Sequence, residues 1–235
     1  EPGQGPNHDE DVGAGTYPNS YFFYLPRLCN HCTHPACKEA CPRKAIEKRE
    51  EDGIVLINED HCRGYRFCQE ACPYKKIYFN EARGISQKCI FCFPRLDQGV
   101  ANACARQCPG RIRFVGYLDD PEGPIYKLVH TYGVALPLHP EYGTEPNVYY
   151  VPPLSPGKYD AEGNPTGEMQ IPMDYLESLF GKKVHQVLAL LIDEREKNHR
   201  GEKSELMDIL IAREWIKNMG PFNKHPRSIE QIKVV

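Results

Sequence analysis

All eleven cysteines of this 235-residue chain lie between Cys29 and Cys108, and their spacing constrains the fold more than any other feature. They form three copies of one unit, and each copy ends in Cys-Pro. The copies are Cys29-x2-Cys32-x4-Cys37-x3-Cys41-Pro42, Cys62-x2-Tyr65-x2-Cys68-x3-Cys72-Pro73 and Cys89-x2-Cys92-x11-Cys104-x3-Cys108-Pro109. A C-x2-C pair puts two thiolates on one side of a tight loop, while an x3 spacing is about one helical turn and can direct neighbouring cysteines to different sites. The proline then ends the short helix.

This spacing indicates iron–sulfur clusters. An odd number of cysteines in such tight spacings is not typical of a secreted disulfide framework. The second copy follows the cluster-binding pattern C-x2-C-x2-C-x3-C-P, with Tyr65 in place of its second cysteine. Because one thiolate is absent there, this copy predicts a cluster that is one iron short. Zinc stays open as an alternative, since the third copy alone has the ligands for one zinc ion.

The sequence predicts an α+β fold: ferredoxin-like iron–sulfur modules with short strands and helices, then an irregular Pro/Gly-rich segment and C-terminal helices. We divide the chain into an extended lead-in (1–20), a ferredoxin-like region with the three cysteine motifs (21–118), an irregular segment that wraps a partner (119–172) and a helical region (173–235). In 21–118 we expect clusters to replace much of the apolar core. A long irregular segment is uncommon in a lone compact domain, which favours a partner protein. We expect the last two regions to lack a core of their own.

Particular elements are predicted as well. Strands are expected at 21–25 and at the apolar run after each Cys-Pro (45–46, 77–79 and 112–115), and the polar residues 49–53 predict a hairpin. A short helix is expected at 126–131 and a strand at 147–151. The C-terminal helices are Met173–Phe180, one with the apolar face Val184, Val187, Leu188, Leu191 and Ile192, and one with Leu206, Ile209, Leu210 and Trp215 that ends at Gly220-Pro221.

Charge and hydropathy argue against nucleic acid binding and against a membrane span. The net charge is −3, which gives no basic footprint for nucleic acid. The longest apolar run, 187–192, is far shorter than the roughly 20 residues that a membrane span needs. We therefore expect no nucleic acid partner and no direct membrane span.

The stretch from Phe22 to about Pro153 resembles the electron-transfer beta subunits of the molybdopterin oxidoreductases in the dimethyl sulfoxide reductase superfamily. The resemblance is carried by Leu25-Pro26-Arg27-Leu28-Cys29-Asn30-His31-Cys32, Cys72-Pro73-Tyr74-Lys75-Lys76, Lys88-Cys89-Ile90-Phe91-Cys92-Phe93-Pro94-Arg95 and Val134-Ala135-Leu136-Pro137-Leu138-His139-Pro140. The branch it indicates contains nitrate reductase, ethylbenzene dehydrogenase, dimethyl sulfide dehydrogenase, selenate reductase and (per)chlorate reductase. Two details differ from the cytoplasmic nitrate reductase: Tyr65 stands where that enzyme has Trp, and the link after Gly116-Tyr117-Leu118 is short. (Per)chlorate reductase and ethylbenzene dehydrogenase are expected to be the nearest members, the former slightly preferred.

The resemblance implies cluster ligands by position. The full subunit of this family binds four clusters, and the three motifs here match the second, third and fourth. One [4Fe-4S] cluster is expected at Cys29, Cys32, Cys37 and Cys72. A [3Fe-4S] cluster is expected at Cys41, Cys62 and Cys68, with Tyr65 in place of the fourth cysteine. A further [4Fe-4S] cluster would use Cys89, Cys92 and Cys104 and lack one ligand, and Cys108 would be the single ligand of another [4Fe-4S] cluster. We therefore expect that an N-terminal part of the subunit is missing from this chain.

The function implied by the resemblance is electron relay without a catalytic site on this chain. Single electrons would pass between a molybdopterin-containing catalytic alpha subunit and a haem b gamma subunit or a soluble cytochrome. Members of this branch are exported as folded complexes, so a periplasmic location is expected, with a cytoplasmic, membrane-associated location as the alternative. Two other hypotheses stay open: a zinc-stabilised, non-redox scaffold that binds a protein, and a self-contained two-cluster ferredoxin.

Basic residues surround the motifs, namely Lys38, Arg43, Lys44, Arg63, Arg66, Lys75 and Lys76. They would favour the reduced, more negative clusters, or they form an ordinary solvated face.

Overall fold

The computed structural model describes residues 15–228, so residues 1–14 of the predicted lead-in lie outside the described part. Short helices and two-stranded antiparallel hairpins build this part, which confirms the predicted α+β class. None of the helices between residues 15 and 228 has both the length and the apolar character that crossing a bilayer requires.

Short helices and two hairpins carry the cysteine motifs. The helices are α1 (Ala36–Glu39), α2 (Phe67–Ala71), α3 (Phe93–Leu96) and α4 (Ala103–Arg106). The hairpins pair β1 (Ile46–Lys48) with β2 (Val55–Ile57), and β3 (Ile77–Asn80) with β4 (Ile85–Lys88). Strands β1 and β3 follow the first and second Cys-Pro, as predicted. The predicted hairpin around 49–53 is confirmed by the pairing of Ile46 with Ile57.

The strands predicted at 21–25 and 112–115 are wrong, because neither segment is part of a sheet. In the first segment Phe23 packs on an apolar cluster, while its neighbours Phe22 and Tyr24 are exposed. This alternation is the pattern from which a strand is predicted. A strand also needs a second strand beside it, and the segment's own sequence does not encode that partner.

Two hairpins and two helical turns interrupt the irregular segment 119–172. They are α5 (Pro124–Tyr126), which continues into a π-helical turn at Lys127–Thr131, β5 (Leu136–Pro137) paired with β6 (Tyr149–Tyr150), a 3-10 turn at Pro140–Tyr142, and β7 (Gly157–Tyr159) paired with β8 (Pro165–Met169). The helix predicted at 126–131 is therefore a π-helical turn, and the strand predicted at 147–151 is confirmed over two residues. The β7–β8 hairpin was not predicted.

Three helices end the described chain: α6 (Met173–Phe180), α7 (Val184–His199) and α8 (Glu205–Ile211). The predicted extent of α6 is confirmed, and so is the apolar face of α7, whose Val184, Val187, Leu188 and Leu191 are buried. The prediction that the third helix reaches Trp215 and Gly220 is wrong. Ala212 adopts a left-handed conformation with φ 54° and ends α8, and a 3-10 segment at Lys217–Phe222 follows.

The largest apolar cluster lies in the second half of the chain. It is formed by buried residues of 128–138, Ile171 and helices α6 to α8, and Leu176 and Leu206 have no exposed surface. The expectation that these regions lack a core is therefore wrong, because three helices converge on the β5–β6 hairpin. A smaller cluster joins α3 and α4 to Met219 and Phe222. In the third apolar cluster, Cys68 and Cys72 pack with Ile46, Val55 and Ile77.

Candidate iron–sulfur cluster sites

The first cavity brings together Cys29, Cys32, Cys37 and Cys72. Cys29 and Cys32 lie in the loop before α1, Cys37 lies in α1, and Cys72 is the residue that ends α2. Burial, and after it the neighbouring thiolates of Cys29 and Cys72, together raise the pKa of the Cys37 thiol to about 12. The ligand set named from the sequence therefore lines one cavity.

The loop of the first cysteine pair is fixed by a distant segment. His31, between the two cysteines, has a φ of 43°. The backbone N–H of Asn147 donates to Asn30 O (2.9 Å), and its side-chain amide donates to His31 O (2.8 Å). Backbone N–H groups of Thr33 and His34 donate to carbonyls at 145 and 144 (2.8 and 3.0 Å). Residues 144–147 thus act as the frame of this loop, a role that the sequence analysis did not predict.

The second cavity is lined by Cys41, Cys62 and Cys68 together with Tyr65 and Ser86. The Ser86 backbone N–H donates to Cys62 Sγ at 3.5 Å. Burial raises the pKa of Cys68, the Ser86 hydroxyl lowers it, and Cys41 and Cys62 raise it again. Tyr65 is 57% exposed and borders the cavity at the position where the motif would have its fourth cysteine.

Backbone conformation sets the shape of the loop that carries Tyr65. Gly64 has a φ of +68°, and a Cβ there would lie 2.5 Å from Gly84 O. Arg66 also has a positive φ, of 65°, and its guanidinium carbon lies 3.7 Å from the centre of the Phe79 ring. The loop therefore lies directly on the β3–β4 hairpin.

The x3 spacing distributes cysteines between the two cavities. In the first motif, Cys37 lines the first cavity and Cys41 the second. In the second motif, Cys68 lines the second cavity and Cys72 the first. Helices α1 and α2, which carry Cys37 and Cys68 and directly precede Cys41 and Cys72, are in contact. Each cavity therefore combines cysteines from two motifs.

The third motif is more open to solvent than the first two. Cys89 and Cys104 are exposed and Cys92 and Cys108 are partly buried, whereas none of the other seven cysteines is exposed. Although Cys89 is exposed as a residue, the protein around its sulfur desolvates the thiol and raises its pKa, and the thiolates of Cys29 and Cys104 raise it as well.

The cysteine sulfurs fit an iron–sulfur cluster better than a single zinc ion. Across residues 15–228, no three His, Cys, Asp or Glu side chains converge closely enough to bind one metal ion. Zinc would draw each sulfur to about 2.3 Å from itself. All eleven cysteines are free, and backbone N–H groups of Ala45, Ser86 and Phe91 donate to cysteine sulfurs at 3.3 to 3.5 Å. Hydrogen bonds to sulfur of this kind tune iron–sulfur clusters.

The basic residues around the motifs are mostly exposed, yet four of the seven border a cavity. Lys76 is partly buried and lines the first cavity, and the exposed Arg43, Arg63 and Arg66 line the second. Two further residues at the cavities were not predicted: Lys88, which is buried beside the first, and Ser86, which lines the second. Their positions two residues apart on β4, just before Cys89, were the available signal.

Comparison with known proteins supports the cluster chemistry. The family described as "4Fe-4S dicluster domain" matches residues 20–118. The chain is 60% identical to the respiratory nitrate reductase subunit beta of Haloferax mediterranei, over 89% of this chain and 61% of that one. It is 57% identical to the dimethylsulfide dehydrogenase subunit beta of Rhodovulum sulfidophilum, over 90% and 65%. It is 56% identical to the perchlorate reductase subunit beta of Dechloromonas aromatica, over 90% and 64%.

These relatives are named for three different reactions and have similar identity, so the preference for (per)chlorate reductase stays a prediction. The chain spans 61% to 65% of their length. The motifs, the two cysteine-lined cavities and these identities agree: the chain is similar in sequence to the beta subunits of these reductases and of the dehydrogenase, and residues 20–118 match a 4Fe-4S dicluster domain.

Proposed function

We propose that this chain relays single electrons through [4Fe-4S] clusters and one [3Fe-4S] cluster, as a non-catalytic subunit of an oxidoreductase complex. The observation that carries the proposal is the pair of adjoining cavities, each lined by cysteines of two motifs. Electron relay needs redox centres close together, and two cysteines four residues apart, one in a short helix and one just after it, contribute to two such sites. Cluster potentials span about −700 to +450 mV, set by cluster type, hydrogen bonds and exposure.

The ligand proposal follows the cavities. Cys29, Cys32, Cys37 and Cys72 would bind a [4Fe-4S] cluster, and Cys41, Cys62 and Cys68 the [3Fe-4S] cluster. Cys89, Cys92 and Cys104 would contribute to a third cluster and Cys108 to a fourth, both of the [4Fe-4S] type, with the remaining ligands outside these motifs. The buried thiols with raised pKa values would lose their protons on binding iron.

The partners we propose are a molybdopterin-containing alpha subunit and a haem b gamma subunit or soluble cytochrome. The support is that the relatives are named as beta subunits of reductases and a dehydrogenase. We also propose a periplasmic location in an exported complex. Fractionation of cells that express the whole complex tests it: recovery of the complex in the cytoplasmic fraction alone would contradict it.

Metal and sulfide analysis tests the function directly. The full chain is loaded anaerobically with iron and sulfide, and iron, acid-labile sulfide and zinc are measured together with the EPR spectrum of the oxidised protein. We expect iron and sulfide in comparable amounts and a three-iron signal. Zinc without acid-labile sulfide would instead identify the non-redox scaffold.

Tyr65→Cys tests the three-iron assignment. A fourth thiolate at the second cavity should convert [3Fe-4S] to [4Fe-4S] and remove the oxidised three-iron EPR signal. Tyr65→Phe is the matched control and should keep the signal, because it adds no ligand. If the signal persists unchanged in Tyr65→Cys, the assignment is wrong.

A further inference from the structure

Lys88 is a buried cation on β4. Its side chain is 5% exposed, and its ammonium donates to the backbone carbonyls of Val55 and of Cys89, the latter at 3.0 Å. Among the ion pairs of residues 15–228, none involves Lys88, whereas Arg49, Arg66 and Lys127 each contact a carboxylate. A buried charge is normally paired with an opposite one. Within residues 15–228, Lys88 therefore contacts two backbone carbonyls but forms no ion pair with a carboxylate.

The cavity that Lys88 lines is the place where a negative group would lie beside its ammonium. Lys88 lines the cavity of Cys29, Cys32, Cys37 and Cys72. Its charge lowers the pKa of Cys37 and of Cys89, although burial raises both more strongly. A cubane cluster with four thiolates is negative when oxidised and gains one more negative charge on reduction. The cluster proposed here would therefore supply the missing counter-charge.

We propose that Lys88 is the buried counter-ion of the cluster at Cys29, Cys32, Cys37 and Cys72 and raises that cluster's reduction potential. The inference rests on the proposed function. The physical reason is that a fixed positive charge in a poorly solvated site stabilises the more negative, reduced state. Lys88 is a positioning and tuning residue, since it binds no iron itself.

The geometry of β4 makes the effect selective. Ser86 lines the second cavity and Lys88 the first. On β4, the residue at the proposed three-iron cluster is therefore a neutral hydroxyl and the residue at the proposed four-iron cluster is a buried ammonium. The cations that line the second cavity, Arg43, Arg63 and Arg66, are exposed and lie outside β4. A change at Lys88 should move the potential of the four-iron cluster, and the three-iron cluster serves as a reference in the same sample.

The test is redox titration of the loaded full chain, followed by low-temperature EPR. Lys88→Gln keeps a hydrogen-bond donor and removes the charge, and Lys88→Arg keeps the charge. We expect Lys88→Gln to weaken one-electron reduction of a [4Fe-4S] cluster about tenfold, a fall of about 59 mV. Lys88→Arg should restore most of that shift. The exposed Lys75→Gln should leave all potentials unchanged, because water screens its charge.

Other results of the redox titration would overturn the inference or make iron content the deciding measurement. An unchanged [4Fe-4S] potential in Lys88→Gln overturns the inference, as does an equal shift of the three-iron cluster. If Lys88→Gln does not load the cluster, iron content becomes the measurement: loading restored by Lys88→Arg supports the counter-ion, and loss in both variants overturns it. Failure of the unmodified chain to load any cluster would refute the proposed function instead.

Discussion

Replacing Gly64 with Ala should disrupt the loop that carries Tyr65 and, with it, the proposed three-iron site. The φ of +68° is a left-handed conformation, which costs a non-glycine residue about 1–2 kcal/mol. The new Cβ would also lie 2.5 Å from Gly84 O, whereas real contacts are essentially never under 3.0 Å. The obstacle is backbone, so the loop or the hairpin must shift. Overpacking of this kind costs typically about 1–3 kcal/mol.

Gly84→Ala is the matched control. Its φ is +67°, almost the same as at Gly64, but a Cβ there would meet nothing within 4 Å. The left-handed cost is common to both variants, so the difference between them reports the clash alone. We expect Gly64→Ala to destabilise the loaded chain by about 1–3 kcal/mol more than Gly84→Ala.

The assay is chemical denaturation of the loaded chain together with the amplitude of its oxidised three-iron EPR signal. Gly84→Ala should keep the signal, and Gly64→Ala should lose most of it because Cys62 and Cys68 flank the displaced loop. Equal losses in the two variants, or a full signal in Gly64→Ala, would show that the close approach of these two segments does not shape the site.

Two predictions concern the helical half. Leu176→Ala removes a side chain with no exposed surface and should cost about 2–5 kcal/mol, measured by chemical denaturation, whereas the partly buried Leu190→Ala should cost less; equal costs would contradict the packing. The pKa of Glu194 is held below its usual 4.5 by Lys197 and then by the Ser204 hydroxyl. Because a lowered folded-state pKa stabilises the fold above the unfolded pKa, the advantage of the unmodified chain over Glu194→Gln should be present at neutral pH and disappear as the pH falls below about 4.5. Denaturation across that pH range measures the gap, and a gap that stays constant into strong acid would exclude Glu194 as its source.

Local spacing was the most informative part of the sequence. The C-x2-C and C-x3-C intervals, read with the family resemblance, named two ligand sets that line two cavities, because a tight loop and one helical turn fix the directions of neighbouring side chains. The 49–53 turn and the face of α7 were also predictable, since both depend on residues close in sequence. The four-segment division of the chain stays a prediction.

Non-local contacts were not predictable. Residues 21–25 have the alternation of a strand but no strand partner in their own sequence. Trp215 was placed on a helix, yet Ala212 ends that helix, and the indole packs on the cluster around Met219 instead. Lys88 was overlooked because a lysine is ordinarily exposed, and its burial depends on the fold of two hairpins.

The frame made by residues 144–147 has a consequence for how the chain matures. Isolated two-stranded hairpins are marginally stable, so the cysteine region depends on its clusters, and metal-binding free energy there is folding free energy. The helical half has an apolar core whose buried residues include no cysteine. Asn147 belongs to the later-synthesised part but fixes the loop of Cys29 and Cys32. We therefore expect the order of folding to reverse the order of translation: the cysteine loops emerge first and wait for a scaffold made later, and cluster insertion is the last step.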